Sequence, residues 1–193
     1  MATIEIRTVK FTAMADGDEE DYRLSEELIQ KSTVLTDFPV RLLDHLKLLS
    51  GHTFGYKVDR LTHSLQTASR AMRDGRDDHY VVMALLHDIG DVLAPHNHDA
   101  VAAAILEPYL PEDYHWIVRH HGIFQGYYYF HLDGLGRDRH ARERFRDHPC
   151  FDATAEFCEL YDQSSFDPGY PTLPLDAFED KVRAVLSTPW AAP

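Results

Sequence analysis

The sequence is poor in cysteine, in basic residues and in long apolar runs. Its two cysteines, Cys150 and Cys158, stand eight apart and form no CxxC pair. They read as reduced core thiols of a cytoplasmic protein. Lysine and arginine total 19 against 32 acids, a formal charge of −13. That balance repels nucleic acid and acidic membrane surfaces, and neither is expected as a partner, although a local basic patch could still hold a small anion. No apolar run approaches the length of a membrane-spanning helix. Met1 to Thr12 carries Glu5, Arg7 and Lys10 and no apolar block, so no secretory leader is expected. There is no internal repeat, no glycine-rich phosphate loop and no GxSxG.

What is present is an ordinary apolar fraction, 44% of 193 residues, enough for a single domain with a real core. That domain is expected to span 1–193, with an arm over 1–22 and a helical bundle over about 38–187. There are also 13 histidines. Most could be bland surface residues, so position must decide among them. The stretch Leu85-Leu86-His87-Asp88-Ile89-Gly90-Asp91 stands out. An apolar run from Tyr80 to Leu86 predicts a helix buried on most faces, with Gly90 as its stop. It ends in an adjacent imidazole and carboxylate. A buried carboxylate is costly unless it is paired or bound to a metal. Consecutive helical residues point about 100° apart, so His87 and Asp88 suit two neighbouring cations better than one, with Asp88 bridging.

The other elements follow from periodicity and punctuation. Ile4-Glu5-Ile6 alternates as a short strand or ordered arm would. The acidic run Asp16 to Asp21 is a solvated face or helix start, or else a lid that brings Tyr22 near a pocket. Helices are predicted over Leu24–Lys31, over Phe38–Leu49 with Gly51 as its stop, and over Leu61–Met72 with Leu61, Leu65, Ala68 and Met72 as the buried stripe. On the last of these, His63 and Gln66 share a face, and His63 is either a packed core histidine or a ligand. Tyr56 lies on the loop before it. Asn97 is a fair N-cap for a short helix that stops before Pro108, with His98 in its first turn. Glu112 opens a helix that runs to Arg119-His120-His121 and stops at Gly122. Either histidine could face inward, or both could cap carbonyls. Residues 123–135, with Gln125 and three successive tyrosines, read as a loop packed by its aromatics or as a pocket wall. Arg137 to His148 is a charged helix or loop whose arginines could hold an anion if it folds over the site. Pro149 starts a helix that puts Asp162 on the inward stripe with Ala155 and Cys158. Leu175 to Leu186 is amphipathic. The sum is an all-α bundle.

The ordered set His63, His87-Asp88, Asp162 resembles the HD-domain superfamily, with His98 and His121 adding the second pair of its binuclear members. His63-x-x-Gln66-Thr67-Ala68 followed by Leu85-Leu86-His87-Asp88-Ile89-Gly90 is similar to the mixed-valent diiron oxygenase branch, which includes oxygenases of inositol and of hydroxylated phosphonates. Arg119-His120-His121 resembles that branch's Arg-x-His element. The resemblance implies a cytoplasmic enzyme of all-α HD-domain fold, in which His63, His87, Asp88, His98, His121 and Asp162 bind two iron ions as Fe(II)/Fe(III). His87 and Asp88 stand at its catalytic centre. O2 is the co-substrate, and a small hydroxyphosphonate is cleaved at its C–P bond. The expected substrate contacts are Tyr22, Tyr56, Gln66, Asp91, His120 and Gln125. Two departures bear on specificity: Asp91 stands where phosphohydrolases carry Lys, and Gln125 where the aminophosphonate enzyme carries Lys. The alternative is a binuclear HD phosphohydrolase acting on a phosphate ester or nucleotide, which needs the same ligands.

Overall fold

The computed structural model describes residues 7–30 and 37–189. Among them are eight α-helices and no strand: α1 Glu19–Gln30, α2 Phe38–Leu46, α3 Arg60–Arg73, α4 Asp78–Leu86, α5 His98–Leu106, α6 Glu112–Tyr129, α7 Phe151–Phe157 and α8 Asp176–Leu186. The fold is all-α, as the patterning predicts. The strand-or-arm reading of Ile4-Glu5-Ile6 lies outside the described residues. The chain divides into two compact units, Met1–Phe38 and Pro39–Pro193.

In the first unit the acidic run is a helix start. Asp18 Oδ1 accepts from the Asp21 amide at 2.9 Å, and buried Asp21 accepts in turn from the Lys10 amide at 2.9 Å. The helix therefore opens at Glu19, five residues before the predicted start. The Tyr22 ring lies against Phe11, with centroids 5.5 Å apart, and its hydroxyl donates to the Met14 carbonyl.

The second unit is organised around α4. Every residue from Tyr80 to Leu86 is buried, which a helix apolar on all faces requires. α3, α6 and α8 lie against it, and α5 and α7 pack on α6. Asp77 starts α4 by accepting from the Tyr80 amide at 3.0 Å. The helix ends at Leu86, so His87 and Asp88 sit in the turn beyond it.

Three expectations are corrected. Gly90 is not a left-handed stop: its φ is not positive, and the position is needed for close approach. A Cβ there would stand 2.5 Å from the His98 carbonyl oxygen and 2.8 Å from its Cα. Helix α6 does not stop at Gly122 but runs to Tyr129. Two interior glycines cost a helix roughly 1 kcal/mol each, and burial of Ile117, Val118 and Phe124 offsets this at about 1.5–3 kcal/mol apiece. The buried face of α3 is not the leucine stripe. Of the predicted stripe Ala68 is buried but Leu61, Leu65 and Met72 are half-buried; the buried face is instead one of small and polar residues, His63, Ser64, Gln66, Thr67, Ala68 and Ala71.

Candidate metal centre

Six side chains from five segments converge beneath the end of α4. His63 comes from α3 and His87 and Asp88 from the turn after α4. His98 opens α5, His121 sits in mid-α6, and Asp162 ends the turn after α7. Five of the six are almost fully buried; His98 is 24% exposed. The turn Cys158–Asp162 is π-helical, and the Gln163 amide reaches back to the Cys158 carbonyl at 3.0 Å. The wider turn brings Cys158, Tyr161 and Asp162 inward together. The simple α spacing of Ala155, Cys158 and Asp162 misses this register, and Ala155 is only half-buried.

Each imidazole is held by its far nitrogen. Nδ1 of His63 meets the Ser165 carbonyl at 2.9 Å, His87 that of Ala84 at 2.8 Å, His121 that of Val118 at 2.7 Å and His98 that of Pro95 at 3.3 Å. A carbonyl can only accept, so Nδ1 carries the proton and Nε2 is turned into the cluster as a lone-pair donor for a metal. The two oxygens of Asp88 divide the histidines between them. Oδ2 lies 3.2 Å from Nε2 of both His63 and His87. Oδ1 lies 3.2 Å from Nε2 of His121 and 3.3 Å from that of His98. Asp162 Oδ1 joins the first pair, 3.3 Å from His63 and 3.8 Å from His87.

These residues fit a pair of metal ions. Ligands about 2.1 Å from one ion stand about 3.0–3.4 Å apart at octahedral or tetrahedral angles, the spacing most of these donors show. Asp162 Oδ2 is buried with no hydrogen-bond partner among the described residues. A lone buried carboxylate oxygen is costly, and a cation would satisfy it. The groups His63/His87/Asp162, His87/Asp88/His121 and Asp88/Asp91/His98 each bring their donor atoms within 4.8 Å of one another.

Electrostatics agree. Burial alone would raise the Asp88 carboxyl, but the charges of Arg60 and His87 outweigh it and hold the group well below its usual range. Burial would lower His87, but Asp88 and hydrogen bonds to Asp162 and Asp88 push it up to about 10. The cluster is thus built to hold positive charge at its centre.

Beside the ligands lies a cavity of about 480 Å³, within the range typical of small-molecule sites. Its wall includes Arg60, Asp88, Asp91, His98, His121 and Asp162 on the charged side. Phe54, Tyr56, Tyr128, Tyr129 and Phe166 form an aromatic side. Phe166 stacks on His63 with centroids 4.4 Å apart, and Tyr56 lies on Phe166 at 4.5 Å. Phe54 holds a left-handed backbone, φ +48°, with its ring exposed.

The expected substrate contacts are placed differently from one another. Tyr56, Asp91 and Gln125 line the cavity. Gln125 Nε2 donates to Asp162 Oδ1 at 3.0 Å, while its Oε1 is buried without a partner among the described residues. Gln66 does not line it: its amide grips the Asp167 backbone, donating to the carbonyl at 2.7 Å, and so ties down the loop bearing Ser165 and Phe166. His120 stacks on Trp116 at 3.9 Å and bonds its carbonyl, on the face of α6 away from His121. Tyr22 belongs to the first unit. The arginines of 137–148 do not line the cavity either. Arg142 and Arg146 lie 3.9 and 4.0 Å from the ring centroids of Tyr127 and Phe151. Arg60 was missed at the level of sequence, since a charged residue opening a helix reads as solvated. Its position three residues before His63, on the same face, was the available signal.

The family profile described as HD domain matches residues 60–150. The chain therefore carries an HD domain, which holds His63, His87, Asp88, His98 and His121, while Asp162 lies beyond the matched stretch. Comparison with curated proteins finds no match.

Proposed function

We propose that this chain is a two-iron oxygenase. In this reading it cleaves the C–P bond of a 1-hydroxy-2-(trimethylammonio)ethylphosphonate-type substrate with O2, giving glycine betaine and phosphate. One observation supports the two-cation part of the reading: the oxygens of Asp88 face separate imidazole pairs, so one carboxylate could serve two ions. His63, His87, Asp162 and Asp88 Oδ2 would hold one ion, and His98, His121 and Asp88 Oδ1 the other. Imidazole and carboxylate donors suit iron, and when bound it supplies the one-electron chemistry that O2 needs.

The chain's own residues bind and orient. The aromatic wall of Tyr56, Tyr128, Tyr129 and Phe166 offers π-faces to a quaternary ammonium group. Gln125 is neutral at a place where a lysine would repel that group. Phe166 and Tyr56, layered over His63, would screen one side of the first metal position from water. The reaction needs no outside reductant: both atoms of one O2 enter the products, one in the new carboxylate and one in phosphate.

A second reading, a binuclear phosphohydrolase, draws on the same two-cation geometry and on the HD domain itself. In it the same six residues would hold two ions that would supply Lewis-acid activation of water for hydrolysis of a phosphate ester. Oxygen-electrode measurements on iron-loaded protein separate the two. The oxygenase reading expects O2 uptake and phosphate in equal amounts from the trimethylammonio hydroxyphosphonate, and no turnover without O2. Phosphate release from nucleotides under anaerobic conditions, with no uptake on the phosphonate, would establish the hydrolase instead.

A further inference from the structure

The cavity sets a guanidinium among its carboxylates, and that guanidinium is not a metal ligand. Among the described residues three carboxylates line the cavity, Asp88, Asp91 and Asp162, against one guanidinium, that of Arg60. Arg60 is the first residue of α3, fixed there by Asp59, whose side chain caps the helix. Its side chain is 10% exposed. Nε donates to Asp91 Oδ2 at 2.6 Å, and Nη2 donates to Asp88 Oδ2. The pairing with Asp88 uses the same oxygen that faces His63 and His87. Two divalent cations would take the negative charge of Asp88 and Asp162 and turn the wall from two excess negative charges to about two positive ones. A doubly charged oxyanion would then be the natural counter-ion. Arg60 would face it with a planar fork of donors, the geometry that suits phosphonate and phosphate oxygens.

We propose that Arg60 is the anion-recognition residue of the cavity. In the metal-loaded protein Asp91 keeps the guanidinium in place through Nε, and the edge that bonds Asp88 in the metal-free cluster is presented to the phosphonate or phosphate of the substrate. Asp91 is then a positioning residue that acts through Arg60. This also gives the acid at position 91 a purpose where a lysine would repel Arg60. The assignment rests on the two-cation part of the proposed function and is the same for a phosphonate or a phosphate ester.

The test is calorimetric and needs no turnover. Wild-type, R60Q and R60K proteins are loaded with manganese, their metal content is measured, and methylphosphonate and choline are titrated separately. R60Q is expected to keep two metals per chain, to bind methylphosphonate at least about tenfold more weakly, and to bind choline as the wild type does. R60K, which keeps the charge but not the fork, should fall between them, and decides the matter if R60Q does not fold. Unchanged methylphosphonate affinity in both variants at full metal content would overturn the assignment and leave the two-cation reading standing. Loss of metal from R60Q and R60K would make Arg60 a support for Asp88 alone, and also overturns it. A wild type that takes up fewer than two metals would sink both.

Discussion

Gly90 and His98 are in direct backbone contact, so close that a Cβ on Gly90 would stand 2.5 Å from the His98 carbonyl oxygen. The turn that carries His87 and Asp88 and the helix that starts at His98 can meet only where no side chain intervenes. Val101 on α5 adds to this close approach, its Cβ 3.0 Å from where a Cβ on Gly90 would stand. Gly90→Ala is therefore expected to force the two apart. Overpacking of this kind costs about 1–3 kcal/mol, or a fall of about 2–12 °C in Tm for a chain of this size. Thermal unfolding measures that cost. Metal content should show that the ion on the His98 side is the one lost.

Asp88 and His98 should have unequal effects on loading. His98→Ala removes one donor from one side and is expected to leave about one metal per chain. Asp88→Ala withdraws an oxygen from both sides and frees Arg60 in the cavity, and should leave the protein without a stable pair. Emission spectrometry on desalted protein distinguishes these, with circular dichroism to confirm the fold.

Metal uptake should depend on pH in a stated direction. The His87 imidazole is pushed up to about 10 from 6.5, so in metal-free protein it carries a proton on Nε2 at neutral pH, and a metal must displace it. Affinity is expected to rise about tenfold per pH unit for that proton until pH approaches 10. Because the folded value lies above the ordinary one, the proton's contribution to metal-free stability is fully present below pH 6.5 and is lost as pH rises through about 10. Proton release in calorimetry, compared across buffers of different ionisation enthalpy, tests the first point. Tm of metal-free protein from pH 6 to pH 10 tests the second.

Asp59 joins two elements. Oδ1 accepts from the Thr62 amide at 2.7 Å and Oδ2 from the Gly51 amide at 2.9 Å. Asp59→Ala is expected to cost about 1–2 kcal/mol in urea unfolding and, by fraying the start of α3, to weaken methylphosphonate binding through Arg60. Burial raises the Asp59 carboxyl less than these hydrogen bonds lower it. The stabilisation is therefore present at neutral pH and fades as pH falls below about 4.

Much of this was legible beforehand, for physical reasons. The core helix Tyr80–Leu86 announces itself by uniform apolarity, and an imidazole–carboxylate pair at its inner end has few stable fates besides a charged partner. His63, His98, His121 and Asp162 joined that pair through the resemblance to HD-domain proteins, since spacing alone left His63 and the choice between His120 and His121 open; the structure brings the six side chains together. Other features were hidden because local rules yield to packing. Gly122 and Gly126 look like breaks, yet the helix continues because its neighbours bury more than the glycines cost. The buried face of α3 is small and polar, so a search for leucines points to the wrong side. The π-helical turn before Asp162 leaves no mark in the residue pattern. Arg60 reads as a solvent charge until the acids from another segment are seen around it.

The carbonyls of Ala84, Val118, Ser165 and Pro95, which fix the four imidazoles, are main-chain groups that every amino acid supplies. Substitutions at positions 84, 118, 165 and 95 that leave the backbone path intact should therefore leave ring tautomer and aim untouched. The outer support of this centre is written into the course of the chain, so its neighbourhood can drift in identity while the ligands keep their direction.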